Sequence, residues 1–433
     1  MVIFAKYAYD IRIPIKELVM AVLGIIAEFN PFHNGHLHLI QRAHQQEHFS
    51  ATVIVMSGNF LQRGEAALCN KWSRTAMALK AGADLVIELP FCFAVRSAYY
   101  FARGAIQLLQ RTGVVSHLAF GSESGNLEEL QNLADYLVDE SPAYQECLRK
   151  HLATGISFAS ARSLALQSLL PDPKLKHLLL MPNNILALEY LHVLAEEQSA
   201  IKPITIMRQG TGYHSTELGP LASASAIRSC LLDKADREYL VETMPLTSLH
   251  RLEHEILAGR APISMNALEQ SILLKLRCSS AQELAEIYEV TEGLENRILQ
   301  GANLYGTLEE LKHYIKSKRY SLARINRTLL YILLDVQARQ IAAFDELGPN
   351  YLHILGFSTQ GQKILQEIKD KTNLPVLNRG SNVKKLHQDK SDPLTQAMLD
   401  LDIRSTDIYT LLYPNPRERR GGQDFTTSPV RIP

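Results

Sequence analysis

From Val22 onward the apolar positions fall into short unbroken runs, separated by longer stretches with helical spacing. The runs are Val22–Ala27, Ala51–Met56, Asp84–Leu89 (ended by Pro90), His117–Phe120 and Ile204–Met207. A strand buried on one face alternates apolar and polar residues, whereas a strand covered on both faces is apolar throughout. The five runs therefore predict parallel strands, and the helical stretches between them predict crossovers. The expected fold class is α/β with a doubly wound parallel sheet. The stretch from about 126 to 200 reads as mostly helical and interrupts the alternation. After about residue 235 strand signals fade and helix-like patterns dominate to about 370, so a largely α-helical C-terminal region should follow. The last 20 residues carry Pro, Gly and Arg and read as mostly irregular.

These patterns divide the chain into 1–19, an extension; 20–235, a sheet-forming domain with a helical insertion at about 126–200; and 236–433, mainly helical. Met20 stands just before the first convincing strand, so a start there is the alternative to a genuine extension. At roughly 150 residues per domain, 433 residues suit two or three domains.

Composition narrows the function classes. Lys+Arg and Asp+Glu are 45 each, which argues against a generally polybasic nucleic-acid binder but leaves room for local basic patches. Five dispersed cysteines without a CxxC pair suit a reducing cytoplasm and exclude a conventional cysteine zinc site. No apolar run approaches the ~20 residues that span a bilayer. The first 20 residues lack the uninterrupted apolar stretch of a signal peptide.

The strongest chemical signal is Asn30-Pro31-Phe32-His33-Asn34-Gly35-His36, between the first strand and the first helix. In a doubly wound sheet phosphates bind there, because helix amides and the helix dipole point at the ligand. Gly35 lets the backbone approach a nucleotide closely. His33 and His36, three apart, can face one pocket and donate to phosphate oxygens, stabilising charge on the α-phosphate as pyrophosphate departs. His38, His44 and His48 follow in the same helix and read as solvated bystanders.

With Phe29 in front, this string resembles the HxGH signature of the nucleotidylyltransferase superfamily. The superfamily usually has Asp where this chain has Asn30, which points to one branch. Met56–Glu65, Gly82–Pro90, Phe120–Glu123 and Pro182–Leu186 resemble, in the same order, strings of the bacterial tRNA(Met) cytidine acetate ligase family. Met181 stands before Pro-Asn-Asn where that family leads one to expect a more polar residue. The resemblance runs from Met20 to the C-terminus and implies an HUP-like, nucleotidylyltransferase-like core. It implies that acetate and ATP give acetyl-adenylate, whose acetyl group passes to N4 of the wobble cytidine of elongator tRNA(Met), without acetyl-CoA. It further implies catalytic His33 and His36. ATP would be bound by Ile26, Ala27, Glu28, Phe29, Asn30, Pro31, Phe32, Asn34 and Gly35, with the Gly121 backbone and Asn183 nearby.

Residues elsewhere complete this expectation. Ser223-Ala224-Ser225-Ala226-Ile227-Arg228 opens a helix, with Ser225 as a natural N-cap. The string resembles the superfamily's second phosphate motif, so Ser225 and Arg228 are expected at the β- and γ-phosphates. Arg208 ends the fifth strand at the carboxyl edge, where a nucleotide contact or a plain surface residue fits. Lys71 and Arg74, one turn apart after a long βα loop, suit either a solvated face or RNA. Residues 311–330 hold Lys312, Lys316, Lys318, Arg319, Arg324 and Arg327, with Tyr314 and Tyr320 and no acid. Backbone contact with tRNA is expected there through Lys316, Lys318, Arg319 and Arg324. The segment holding Arg379, Lys384 and Lys385 is a weaker candidate.

Mg²⁺ should accompany ATP, and the sequence offers no dedicated carboxylate cage, so no metal ligands are assigned. The expected partners are tRNA, acetate and ATP in the cytoplasm, with no membrane and no obligate protein partner. Two other readings stand beside this one. A small-molecule adenylyltransferase would leave nearly 200 C-terminal residues without a purpose, and a catalytically inert RNA-binding protein would not need an intact HxGH.

Overall fold

The structure, a computed structural model, describes residues 21–208, 223–232 and 237–433. The expected extension 1–19 and the boundary near 235 lie outside the described residues. One mixed sheet organises the rest. Its strands are β1 (Val22–Ala27), β2 (Ala51–Ser57), β3 (Leu85–Leu89), β4 (His117–Ser122), β5 (Lys202–Met207), β6 (Leu352–Phe357), β7 (Val376–Leu377) and β8 (Val430–Arg431). Their order is β5-β4-β1-β2-β3-β6-β7, with β8 paired to β6.

The first five strands are mutually parallel. β1 pairs with β2 from Val22↔Ala51 to Ala27↔Met56, and with β4 from Leu23↔His117 to Ile25↔Ala119. The chain winds outward from β1 through β2 and β3 on one side, then returns to start β4 and β5 on the other. That reversal opens a crevice at the carboxyl ends of β1 and β4, the usual ligand position of such sheets.

Helices cover both faces. Leu23, Ile25, Ile54, Met56 and Val86 pack against α1 (Asn34–Gln46) and α2 (Lys71–Lys80). Val53, Val55, Leu85 and Ile87 pack against the Ala98–Arg111 and Pro182–Glu196 helices. Coverage on both faces is why β2 and β3 are buried at every position and read as continuous apolar runs.

Sequence patterning missed β6, β7 and β8. β6 runs antiparallel to β3 and puts His353 opposite Glu88. The polar His353 and the small Gly356 break the apolar run that marks a buried strand. The other described elements after residue 236 are helical, from Arg237–Thr243 to Gln423–Thr426.

Candidate active site

Two histidines close the turn between β1 and α1 upon themselves. His33 is the N-cap of α1, and its Nδ1 accepts the Gly35 amide at 3.0 Å. Three residues on, His36 Nδ1 accepts the His33 amide at 3.2 Å. This is the reciprocal capping box usually built from Ser or Thr and Glu, here made of two imidazoles. A backbone amide can only donate, so both Nδ1 atoms are unprotonated and each ring carries its proton on Nε2. The ring centroids are 3.9 Å apart, and Phe29 and Phe32 support His36 at 4.8 and 5.4 Å. A Cβ at Gly35 would lie 2.8 Å from His33 Cε1, so no other residue fits there without moving the imidazole.

Burial lowers the His33 pKa to about 3, with Arg208 and Arg228 adding to the effect. His36 is held well below its ordinary value by burial, His33 and Arg208. Both rings are therefore neutral at physiological pH. They act as Nε2–H donors, and the positive charge of the site comes from arginine.

Two arginines reach the loop from separate elements. Arg228, on the Ala224–Leu232 helix, donates to the Asn30 carbonyl at 2.9 Å and to Ser225 Oγ at 3.2 Å. Asn30 itself turns inward, where its Oδ1 accepts the Leu68 amide at 2.7 Å. The helix is capped by Ser223, which accepts the Ala226 amide, and not by Ser225 as sequence reading expected. Ser225 instead holds the guanidinium. Arg208 follows β5 and donates to Asn183 Oδ1 at 3.1 Å. A Cβ on Gly121, at the end of β4, would approach Arg208 Cγ to 3.2 Å.

The expected nucleotide residues thus converge from β1, β4, the helical insertion, β5 and the Ala224–Leu232 helix. They do not all face outward. Phe29, Asn30, Pro31 and Phe32 are buried, so their side chains support the loop and only their backbone can meet a ligand. Ile26 and Ala27 are half-buried at the end of β1, and Asn34 Nδ2 donates to the Glu242 carbonyl at 2.8 Å. Glu28 Oε1 accepts the Gln62 amide at 2.7 Å, and burial raises its carboxyl above the ordinary value.

Sequence reading overlooked Glu123. Its carboxylate accepts Asn183 N at 3.1 Å, Asn183 Nδ2 at 2.6 Å and Asn184 N at 2.7 Å. The fully buried Asn184 returns its Oδ1 to the Glu123 and Ser124 amides. Asn184 is thus the structural member of the pair, and Asn183 is left facing Arg208. The acid in Phe-Gly-Ser-Glu was the available signal, since a helix opening with Pro-Asn-Asn leaves bare amides that attract a carboxylate.

Two of the expected RNA contacts are corrected. Lys71 and Arg74 are fully buried, with no surface to offer a phosphate. Lys71 Nζ lies 2.8 Å from Glu88 Oε2 and 2.6 Å from Asp424 Oδ1, and His353 Nδ1 lies 2.7 Å from the same Glu88 oxygen. Arg74 donates to the carbonyls of Cys69, Glu28, Ser57 and Gly58. Glu88, His353 and Asp424 are a ligand-type cluster, but the Lys71 ammonium already supplies their cation.

In the basic stretch, Lys316 and Lys318 are exposed. Arg319 pairs with Glu292 at 2.6 Å, and Arg324 stacks over Tyr320 while donating to the Glu289 carbonyl and to Thr291. The acids missing from 311–330 arrive from the segment before the Leu294–Leu304 helix, which holds Glu289 and Glu292. Arg327 of this stretch adjoins the loop after β2, because a Cβ on Gly64 would run into the Arg327 amide.

The family profile described as HIGH Nucleotidyl Transferase matches residues 20–424. The tRNA(Met) cytidine acetate ligase of Syntrophomonas wolfei is 56% identical over 413 residues, covering 95% of this chain and 99% of that protein. The protein of the same name from Halothermothrix orenii is 40% identical over 415 residues, covering 94% and 98%. Among solved structures, Thermotoga maritima TmcAL bound with alpha-thio ATP is 34% identical with a TM-score of 0.89, covering 95% of this chain and 100% of that one. With its paired-histidine loop at the switch point and matches along nearly its whole length, the chain belongs to the HIGH nucleotidyl transferases and, within them, to the tRNA(Met) cytidine acetate ligase family.

Proposed function

We propose that this protein is an ATP-dependent ligase that activates acetate as acetyl-adenylate. It then transfers the acetyl group to N4 of the wobble cytidine of elongator tRNA(Met), forming N4-acetylcytidine and releasing AMP and diphosphate. The observation that carries the reading is the pair of neutral imidazoles with arginines on either side. An acetate oxygen attacks the α-phosphorus, and negative charge grows on the phosphoryl oxygens as pyrophosphate leaves. The Nε2–H groups of His33 and His36 donate to that charge, while Arg228 with Ser225 and Arg208 with Asn183 offset it. Both arginines are pre-positioned by hydrogen bonds, so little reorganisation is needed during reaction.

Mg²⁺ arrives with ATP as part of the substrate and neutralises the triphosphate. The carboxylates of Glu88 and Glu123 are already engaged by Lys71 and by a helix N-terminus. The tRNA approaches over the exposed Lys316 and Lys318. This reading places the protein in the cytoplasm with its tRNA, and no helix among the described residues is long and apolar enough to cross a membrane.

The test is incubation with ATP, labelled acetate and total tRNA, followed by nucleoside analysis. Labelled N4-acetylcytidine is expected. Labelled adenylate that never reaches tRNA, or a product joining AMP to a phosphorylated metabolite, would favour a small-molecule adenylyltransferase. Binding of tRNA without turnover of ATP would favour an inert RNA-binding protein.

A further inference from the structure

We propose that the carboxylate of Glu28 takes the proton from the attacking cytidine amine during acetyl transfer, so that one loop serves both half-reactions. The inference rests on the acetate-ligase reading above. In the transfer step N4 bonds to the acetyl carbon. The bond from that carbon to the AMP oxygen breaks, its electron pair leaves with AMP, and N4 must lose one proton.

The histidines are not built to receive that proton. Each Nδ1 already accepts a backbone amide and each Nε2 already carries hydrogen. Protonating either ring would place a cation in a buried site beside two arginines. Two other carboxylates, Glu123 and Glu88, are occupied. Glu123 has both oxygens on the Asn183 and Asn184 amides, and Glu88 is held by Lys71 and His353.

Glu28 differs from both. It is half-buried and stands between the last residue of β1 and the phosphate loop. One oxygen is anchored by the Gln62 amide, while the other receives no hydrogen bond, and no ion pair reaches the carboxylate, among the described residues. Glu28 directly precedes the Phe29–His36 loop that carries both imidazoles, and Arg228 donates to the Asn30 carbonyl of that loop at 2.9 Å, so the carboxylate stands at the root of the phosphate loop. The groups facing it are Arg74 from α2, Arg228 from the Ala224–Leu232 helix, Glu65 from the loop after β2 and Tyr190 from the Pro182–Glu196 helix. Burial and Glu65 raise the carboxyl, the Gln62 amide and the two arginines lower it, and burial prevails. A carboxylate moved upward toward neutrality is a better base than an ordinary one.

The experiment supplies chemically prepared acetyl-adenylate and tRNA, bypassing ATP, and follows single-turnover acetylation across pH. The wild-type rate should rise along an acid limb and then level off. Glu28→Gln keeps the side-chain volume and an acceptor for the Gln62 amide. It should lower the rate about 10²–10⁴-fold, the usual contribution of a general base, and abolish the acid limb. Glu28→Asp should restore part of the rate together with the limb, and it decides alone if the Gln protein does not fold. Wild-type rates in the Gln variant, or a slow Gln variant that keeps the acid limb, would overturn the assignment. A wild-type enzyme that cannot use acetyl-adenylate would instead overturn the acetate-ligase reading itself.

Discussion

His36 Nε2 carries a proton because His36 Nδ1 holds the His33 amide, so its free edge is a donor by construction. Replacing His36 by Ala should reduce acetyl-adenylate formation about 10²–10³-fold, as expected for one charge-stabilising donor, with tRNA binding retained. Near-normal pyrophosphate release by a folded His36→Ala protein would remove that role. His33 adds a pH signature. Its pKa falls from 6.5 to about 3 on folding, so between those values the unfolded chain binds a proton that the native state does not. Stability is therefore complete above pH 6.5 and declines as pH falls through the window, by about 1.4 kcal/mol per pH unit for this group. His33→Asn keeps a capping oxygen but cannot titrate. Denaturant midpoints at pH 7 and pH 5 should thus shift less in the variant than in the wild type, and equal shifts would count against this account. The motif itself was legible in the sequence because its residues are adjacent. The neutral state of the rings was not, because it depends on burial and on Arg208 and Arg228, far along the chain.

At the scale of elements, α2 shows how a basic sequence pattern can point inward. Lys71 and Arg74 look like a surface pair, yet the first pairs with Glu88 and Asp424 and the second binds four backbone carbonyls. Arg74 thereby ties the end of β1 to the turn after β2 and holds the backbone of Glu28. Lys71→Ala should cost about 3–5 kcal/mol, because it strands buried carboxylates, whereas loss of a surface lysine costs within about 0.5 kcal/mol. A melting temperature close to wild type would mean that the pair is not sealed from water. Gly64, at φ +75° and against the Arg327 backbone, fixes the approach of the loop after β2 to the basic helix. Gly64→Ala should destabilise by more than the ordinary ~1 kcal/mol of a point substitution, both from its left-handed backbone and from the clash. An unchanged denaturant midpoint would show that the loop can move aside.

Over the whole molecule, β6 and Asp424 bring the C-terminal region against β3 and α2 in the same sheet that carries the site. On the proposed reading, the exposed Lys316 and Lys318 meet the tRNA backbone. Replacing both with Ala should weaken tRNA binding and make its salt dependence shallower, by about 0.7–0.9 in the slope of log K per lost phosphate contact. ATP turnover to acetyl-adenylate should be unaffected. Arg319→Ala and Arg324→Ala should matter less, since Glu292, Glu289 and Thr291 already engage those guanidinia. A salt titration in which the arginine variants lose more than the lysine pair would reverse that ranking. The parallel strands, the crossovers and the His-Asn-Gly-His loop were determined by sequence alone, because apolar runs and capping residues act over a few neighbouring positions. Only the tertiary structure decided which charges face solvent, which asparagine faces Arg208 and which carboxylate is left available. Each of those outcomes depends on a partner such as Asp424, Glu123 or Gln62, brought into contact by folding rather than by proximity along the chain.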